Sequence, residues 1–297
     1  MRKGILSLLM LFIIAPIFAQ EDEDNDDTEK EGWVNGGNFS LMFSQAAFNA
    51  NWMGGGTSNF AGDLAVDYNI DYHKERLTWV NNFTGEYGLT KQKNDSYTRK
   101  TSDKLALNST LGYSVKEDSN WSYSFFVDFR TQWAKGYEYD DDNGVRQEIT
   151  RFMSPGYLKF GPGMLYKKGD ILQVNIAPAT SRFVFVDDFF TSASDYESES
   201  YYGMKPGKSM RYEFGASIDA VSELTLFDNV ALKQKLSLYS DYLDKPGNID
   251  LDYTMKLDME INKFMSANFV FQAIYEDKAV SSFQIREMIG IGFSHKL

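Results

Sequence analysis

The chemically reactive side chains of this sequence are acids and bases placed at alternate positions between apolar residues. Six carboxylates and four basic side chains stand out in this arrangement: Asp63, Asp67, Glu86, Asp128, Glu213, Asp258, Arg130, Arg211, Lys256 and Arg286. Neighbouring carboxylates can exchange protons with a substrate, but mixed acids and bases form structural ion pairs more often than catalytic pairs. If the alternating segments are strands that close into a barrel, as argued below, these ten side chains face its interior. We therefore take them as candidate lumen-lining residues, in an interior that is either filled by paired charges or open to water.

Other catalytic chemistry has little support. The chain has two histidines, His73 and His295, and no cysteine. A barrel phospholipase needs a serine nucleophile beside a histidine base near the outer rim, whereas both histidines are predicted at the periplasmic end. The glycine run at 54–56 lacks the Lys and Ser/Thr of a phosphate-binding loop. We predict no catalytic, cofactor-binding or metal-binding residue, and we expect no enzyme activity.

Composition narrows the class of protein. The chain has 297 residues, of which 43% are hydrophobic and 15% aromatic, so it can bury a large core. The absence of cysteine excludes a disulfide scaffold and a thiolate metal site. The formal net charge of −12 argues against nucleic-acid binding, which needs a basic surface.

The first 36 residues are predicted to lie outside the folded domain. Arg2 and Lys3 precede an apolar run that ends in Phe18-Ala19, which predicts a signal peptide over residues 1–19 cleaved near Ala19. Residues 21–31 hold eight acids and one base, so we predict an acidic disordered tail over 20–36. The folded domain is then residues 37–297.

Alternation of apolar and polar residues continues through most of the domain. In one run, Trp121, Tyr123 and Phe125 alternate with Ser122 and Ser124, as in a strand with one apolar face. The pattern predicts about twelve strands: 38–44, 59–73, 77–90, 104–115, 121–133, 155–167, 171–181, 208–222, 229–242, 249–261, 265–275 and 283–297. Amphipathic helices are not predicted.

The predicted connections fall into a short and a long set. The short set is 74–76, 116–120, 168–170, 223–228 and 262–264. The long set is 45–58, 91–103, 134–154, 182–207, 243–248 and 276–282. The connections are assigned to the two sets by their length, and short and long connections alternate along the chain only approximately. Short periplasmic turns and longer extracellular loops are typical of an all-β, transmembrane, antiparallel up-and-down β-barrel.

A water-soluble barrel has the same pattern with its apolar face turned inward. The many large aromatic residues favour the membrane, because they suit lipid and its interfaces better than a small barrel interior. Trp121 and Trp133 are twelve residues apart on one face, which corresponds to about 30 Å along the membrane normal for a tilted strand. The pattern thus favours a membrane barrel over a soluble one.

Several stretches resemble an uncharacterised domain-of-unknown-function family of Bacteroidota outer-membrane β-barrel proteins. They cover most of the chain after the acidic tail: Asn51-Trp52, Gly54-Gly55-Gly56, Arg99-Lys100-Thr101, Asp103-Lys104, Trp121, Tyr123-Ser124, Ser154-Pro155, Tyr157-Leu158, the segment from Tyr242 to Asp250, and Gly290-Ile291-Gly292. The resemblance implies a barrel in the outer membrane of a Gram-negative bacterium. It implies no activity and no functional residue.

A closed barrel with a polar lining makes a passage available, so we expect a channel or transporter for small solutes. The alternative is a plugged structural or assembly component of the outer membrane, which would contact other envelope proteins through the loops at 134–154 and 182–207. The expected partners are outer-membrane lipid and the outer-membrane assembly machinery, which would recognise the amphipathic C-terminal strand. Nucleic acid is not an expected partner.

Overall fold

The computed structural model describes residues 31–48, 57–93, 95–117, 119–140, 143–192 and 201–297. The predicted signal peptide, most of the predicted acidic tail and the glycine run at 54–56 lie outside these ranges. The described residues form strands almost throughout, with one short 3-10 helix, Asp188–Phe190. None of their helices is long and apolar enough to cross a membrane.

Fourteen strands are present in the described ranges. Their bounds are β1 Gly32–Ala46, β2 Asn59–Lys74, β3 Leu77–Gln92, β4 Arg99–Ser114, β5 Trp121–Thr131, β6 Gly136–Asp140, β7 Val145–Thr150, β8 Gly156–Lys168, β9 Leu172–Phe185, β10 Met210–Phe227, β11 Val230–Asp241, β12 Ile249–Glu260, β13 Met265–Glu276 and β14 Val280–Lys296.

Twelve of these strands form a closed antiparallel barrel. The order around the ring is β1-β14-β13-β12-β11-β10-β9-β8-β5-β4-β3-β2, so each barrel strand pairs with the next one along the chain. The last strand, β14, pairs with β1 from Asn38 opposite Lys296 to Phe43 opposite Ile291, which closes the ring. The predicted all-β, up-and-down barrel of about twelve strands is confirmed. β6 and β7 form a separate two-stranded hairpin.

The strand alternation places apolar side chains outside and polar side chains inside. On β5, Trp121, Tyr123 and Phe125 are 42%, 60% and 47% exposed. Arg130, on the opposite face of the same strand, contacts Asp252 of β12 through the interior. Because side chains alternate along a strand, the inward position of Arg130 means that every second residue of β5 points inward and the residues between them point outward. The orientation is the reverse of that in a water-soluble barrel.

The connections alternate between the two ends of the barrel. At one end, which we call the turn end, they are 75–76, 115–120, 169–171, 228–229 and 261–264. At the other, the loop end, they are 47–58, 93–98, 132–155, 186–209, 242–248 and 277–279. The alternation follows strand order throughout. Two predicted long loops, 91–103 and 276–282, are shorter than expected because the flanking strands extend into them.

The predicted boundary at residue 37 is wrong, because β1 begins at Gly32. The ring of Trp33 packs against Tyr72 and Trp79, with centroids 5.0 and 5.8 Å away. These contacts and full pairing with β2 hold residues 32–37 in the sheet. Gly36 and Gly37 interrupt the apolar alternation, so the sequence pattern predicted the strand only from residue 38.

Two further predictions are corrected at the loop end. β9 was predicted to end at 181 but continues to Phe185, which brings Arg182 into the barrel wall. The connection predicted as a loop over 134–154 contains the β6–β7 hairpin. The hairpin is held partly by the Arg146 guanidinium, which lies 4.4 Å from the centre of the Tyr137 ring and 5.4 Å from that of Tyr97.

Candidate functional site

Two nearly opposite walls of the barrel are joined by an ion pair. Arg130 on β5 places Nη1 2.6 Å from Oδ2 of Asp252 on β12, and Gln272 donates to the other carboxylate oxygen at 3.0 Å. The two strands are five positions apart in the twelve-strand ring. The ion pair therefore spans the lumen and divides its cross-section into two unequal parts.

A second contact crosses the lumen nearer the loop end. The Tyr157 hydroxyl on β8 donates to Oε2 of Glu276 on β13 at 2.9 Å, and both side chains are buried. The Arg130 guanidinium lies 4.7 Å from the centre of the Tyr157 ring. Because this ring supports Arg130, the two crossing contacts form one unit across the barrel.

The part of the lumen between β8 and β12 is filled by polar side chains. Lys159 forms an ion pair with Asp219 at 2.7 Å and donates to the Ser237 hydroxyl at 3.0 Å. Arg182 contacts Glu213, lies 2.7 Å from Asp250, and stacks on the Tyr239 ring. Buried charges of this kind are retained when each is paired and hydrogen-bonded, as these are.

The remaining part of the lumen holds a cavity of about 200 Å³. Its lining mixes three cations with four acids, among them Asp103, and three glutamines, and nearly all of these come from β3, β4, β5, β12, β13 and β14. The charged lining side chains used below are Glu86, Lys104, Arg130, Asp252, Glu276 and Arg286. A cavity of this size accommodates a small polar solute and excludes a large one.

The loop end closes over the cavity with aromatic rings. Tyr202 lines the cavity and packs edge-on against Tyr157, with centroids 6.4 Å apart. Burial raises the pKa of the Tyr202 hydroxyl to about 12, so it stays neutral at ordinary pH. Next to it, Tyr201 stacks on Phe190 at 4.8 Å. The segment around Tyr201 and Tyr202 thus forms part of the roof.

A lysine in the β13–β14 connection holds several acids at this end. Lys278 Nζ lies 2.9 Å from Asp241, 3.0 Å from Glu213 and 3.2 Å from Asp244. Burial alone would lower the pKa of Lys278, but the hydrogen bond to Asp241 and the charge of Glu213 hold it above its usual value. The ammonium group is therefore a permanent link between the β10–β11 wall and two external connections.

The ten predicted interior residues separate into a group at the cavity and a group away from it. Glu86, Arg130 and Arg286 line the cavity, and Arg286 Nη2 lies 3.3 Å from Glu86 Oε2. Asp67 accepts a hydrogen bond from Thr84 at 2.9 Å. Asp63 accepts from Ser102 at 2.9 Å, and a Cβ at the neighbouring Gly88 would displace its carboxylate from this position.

The other five, like Asp63 and Asp67, lie outside the cavity. Asp128 accepts a hydrogen bond from Asn108. Glu213 is contacted by Arg211, Arg182 and Lys278 in the filled part of the lumen. Lys256 and Asp258, towards the turn end, pair with each other at 3.2 Å. A role for these ten as the lining of a channel stays a prediction.

Four important residues were absent from the predicted set: Tyr157, Arg182, Lys235 and Glu276. Lys235 and Lys233 alternate with Leu232, Gln234 and Leu236, so the period-two rule applied to β11 would have placed them inside. Arg182 and Glu276 were missed because the predicted strands stopped before them. Tyr157 was not among the predicted interior residues, although it lies opposite Arg130 in the β5–β8 register.

The two histidines lie where the sequence predicted, at the turn end. His73 pairs with Gly32 and His295 with Phe39, both far along their strands from the cavity. In the described part of the chain, no group of three or more His, Asp or Glu side chains is placed to hold a metal ion.

Residues 43–137 match a family model described as "Protein of unknown function (DUF3078)". The predicted similarity to an uncharacterised domain family is confirmed for this segment, which runs from the end of β1 into β6. A search of curated proteins gave no match.

Solved structures with similar coordinates include three bacterial outer-membrane proteins. An outer membrane channel from Pseudomonas putida F1 is 10% identical with a TM-score of 0.42, over 94% of this chain and 100% of that one. The translocator domain of autotransporter NalP from Neisseria meningitidis is 10% identical at 0.36, over 97% of each chain. Outer membrane phospholipase A from Escherichia coli is 10% identical at 0.38, over 92% and 94%. All three TM-scores are low, so the barrel fold rests on the strand pairing of this chain and not on these similarities.

Proposed function

We propose that the protein is an outer-membrane β-barrel that carries small solutes through a narrow, off-centre passage in its lumen. The observation that carries the channel proposal is the cavity of about 200 Å³ beside the Arg130–Asp252 pair. It is lined by charged and amide groups, which solvate a polar solute. Its walls are strands, so its dimensions are set by the barrel.

The outer surface supports a membrane location. At the turn end, aromatic rings cluster outside the barrel, as in the pairs Trp33–Tyr72 at 5.0 Å and Trp121–Tyr166 at 5.1 Å. Towards the loop end, Phe183 and Tyr212 are 5.0 Å apart. Exposed apolar side chains such as Phe125 and Leu107 lie between these bands. An apolar belt between two aromatic bands fits a bilayer.

The same proposal gives the barrel an orientation in the outer membrane and a route of export. The turn end faces the periplasm and the loop end faces outward, as in outer-membrane barrels with short inner turns. The chain is exported with a signal peptide cleaved near Ala19 into a Gram-negative envelope. Lipid contacts the outer belt, and the assembly machinery binds β14, the strand that closes the ring on β1.

A plugged structural or assembly component is the second candidate. It is favoured by the contacts that cross the lumen, Arg130 with Asp252 and Tyr157 with Glu276. In that case the cavity is a closed pocket, and the loops over residues 132–155 and 186–209 are the functional surface.

Single-channel recording of the refolded barrel in a planar bilayer separates the two candidates. A narrow passage predicts small, stable current steps. Replacing Arg130 and Asp252 together with alanine removes the crossing pair without leaving either charge unpaired, and this variant should give larger steps. If both proteins are folded and silent, the channel proposal is wrong and the plugged component is favoured.

A further inference from the structure

The charges that line the cavity are not all paired with one another. The lining holds four carboxylates and three cations. Three of the carboxylates form an ion pair with a basic side chain of the barrel wall: Asp252 with Arg130 at 2.6 Å, Glu86 with Arg286 at 3.3 Å, and Asp103 with Lys100 at 2.6 Å. Among the described residues this leaves two lining charges without an ion-pair partner, the Glu276 carboxylate and the Lys104 ammonium group.

The Glu276 carboxylate has a hydrogen bond at only one of its two oxygens. Tyr157 donates to Oε2 at 2.9 Å, whereas Oε1 is buried and accepts no hydrogen bond from the part of the chain that the structure describes. Glu276 is 6% exposed and lines the cavity, so the cavity is the space from which a donor can reach Oε1. A buried acceptor without a donor costs free energy, and a positively charged donor is the most favourable partner for a carboxylate. The rings of Tyr157 and Tyr202 line the same cavity, and aromatic rings also attract an ammonium group.

Lys104 provides the unpaired positive charge on the other side of the cavity. It lies opposite Glu86 in the β3–β4 register, but the Glu86 carboxylate contacts Arg286 instead. Lys104 is on β4 and Glu276 on β13, five positions apart in the ring. The strands of the Arg130–Asp252 pair have the same separation, and their side chains meet across the lumen. The two unpaired charges therefore lie on nearly opposite walls of one small space.

A solute with a single charge satisfies only one of these two groups. An anion at Lys104 leaves the buried Glu276 carboxylate without a charged donor, and a cation at Glu276 leaves Lys104 unpaired. When Lys100 is included, four carboxylates and four cations surround the cavity, so it has no excess charge of either sign. A solute that carries both an ammonium group and a carboxylate supplies a donor to Glu276 and an acceptor to Lys104 at the same time.

We infer that the cavity is a binding site for a small zwitterion, an amino carboxylate whose ammonium group contacts Glu276 and whose carboxylate contacts Lys104. This inference rests on the proposed passage, and it names the class of solute that the passage carries. Arg286, which contacts Glu86 beside Lys104, has a buried Nε with no acceptor among the described residues, and this is a further donor on the Lys104 side. The volume of about 200 Å³ limits the solute to a small one.

Calorimetric titration of the detergent-solubilised full-length barrel measures the site without requiring conduction. The probe is γ-aminobutyrate, and its matched single-charge analogues are butyrate and butylamine. Glycine, compared with acetate and methylamine, tests a shorter distance between the two charged groups. In at least one of these series the amino carboxylate should bind about tenfold more tightly than either analogue, because each analogue lacks one of the two charged hydrogen bonds.

Substitutions on the two sides of the cavity assign the two ends of the solute. Glu276→Gln keeps an oxygen that accepts from Tyr157, and it should weaken binding of the amino carboxylate about tenfold without weakening that of the simple carboxylate. Lys104→Gln should weaken binding of both and leave that of the simple amine unchanged. Glu223→Gln and Lys233→Gln are the matched controls, since these residues pair with each other at 3.0 Å outside the cavity. Heat-modifiable migration in gel electrophoresis verifies that each variant is a folded barrel.

The outcomes separate this site from the channel itself. A preference for the amino carboxylate that is lost in both cavity variants and kept in both controls supports the site. The site is overturned if neither series shows the preference, if the preference survives either cavity variant, or if the controls lose it equally. Charge-dependent binding by a barrel that is silent in a bilayer retains the site and removes the channel. Conduction without such binding does the reverse.

Discussion

Asp252 of β12 receives the Arg130 guanidinium of β5 at 2.6 Å, although five strand positions separate them around the ring. Contacts within a sheet normally join adjacent strands. A direct side-chain contact over this separation requires the walls to approach each other, so the pair sets the width of the lumen at this level. It also places the remaining cavity on one side, next to β3, β4 and β14.

Removal of one member of this pair should destabilise the barrel more than removal of both. Arg130→Ala leaves the Asp252 carboxylate with only Gln272 as a partner, and we expect a loss of about 1–2 kcal/mol, reduced from fully buried values because both side chains are partly exposed. Arg130→Ala/Asp252→Ala should lose less. Urea unfolding followed by tryptophan fluorescence measures the difference, and equal losses would contradict the assignment of a crossing pair.

The second crossing contact predicts a different response. Tyr157→Phe removes the donor to Glu276 and leaves a buried carboxylate oxygen without it, which should cost about 1–3 kcal/mol in unfolding free energy. Tyr239→Phe is the matched control. Its hydroxyl is buried with no hydrogen-bond partner in the described ranges, and the ring against Arg182 is retained. Similar losses in both variants would show that the Tyr157 hydroxyl has no structural role.

The barrel was predictable from sequence because its strands alternate over long runs. The polar face of β5, with Asp128 and Arg130, follows directly from the apolar positions Trp121 to Phe129. The partner of Arg130 does not, because it depends on the register of strands around the whole ring. Period two places a side chain inside a barrel but carries no information on which opposite strand it reaches.

Errors in the predicted site occurred where the alternation fails. Gly36 and Gly37 break the alternation in the first half of β1, so that half was not predicted as strand. In β8, Gly161 and Gly163 lie at a register shift. The β6–β7 hairpin, with Tyr137, Tyr139 and Arg146, is stabilised by ring and guanidinium contacts rather than by an apolar face. Its residues therefore had the composition of a loop.

Acidification should weaken the contact between the β6–β7 hairpin and the segment after β9. Arg151 lies 2.6 Å from Glu148 and 3.0 Å from Asp187. Burial opposes the charge on Glu148, but hydrogen bonds from Lys135 and Arg151 hold its pKa below 4.5. A hydrogen bond from the Phe189 backbone, with Arg151, holds the pKa of Asp187 below 3.8. Groups with lowered pKa stabilise the folded form above their unfolded pKa and lose this as pH falls through the folded value.

The contact should thus be intact at neutral pH and weakened below about pH 4. Hydrogen–deuterium exchange of residues 145–151 in the wild type and in Arg151→Ala tests this. The variant should exchange faster at pH 7, and the difference between the two proteins should shrink as the pH falls below about 4 and the carboxylates take up protons. A difference that does not shrink on acidification would show that the carboxylate contacts are not responsible.

Lys278 should be required for the stability of the loop end. Lys278→Ala leaves Glu213, which is 1% exposed at its side chain, and Asp241, which is 9% exposed, without their shared ammonium group. Loss of one partner from a buried charge cluster costs about 3 kcal/mol, so a clear drop in the urea midpoint is expected. Lys278→Arg should recover most of it, because the guanidinium can reach the same acids. The exposed Lys263 at the turn end provides the control, and Lys263→Ala should leave the midpoint unchanged. If Lys278→Ala behaves like Lys263→Ala, the acids at this end are stable without the lysine, and the cluster does not hold the external connections together.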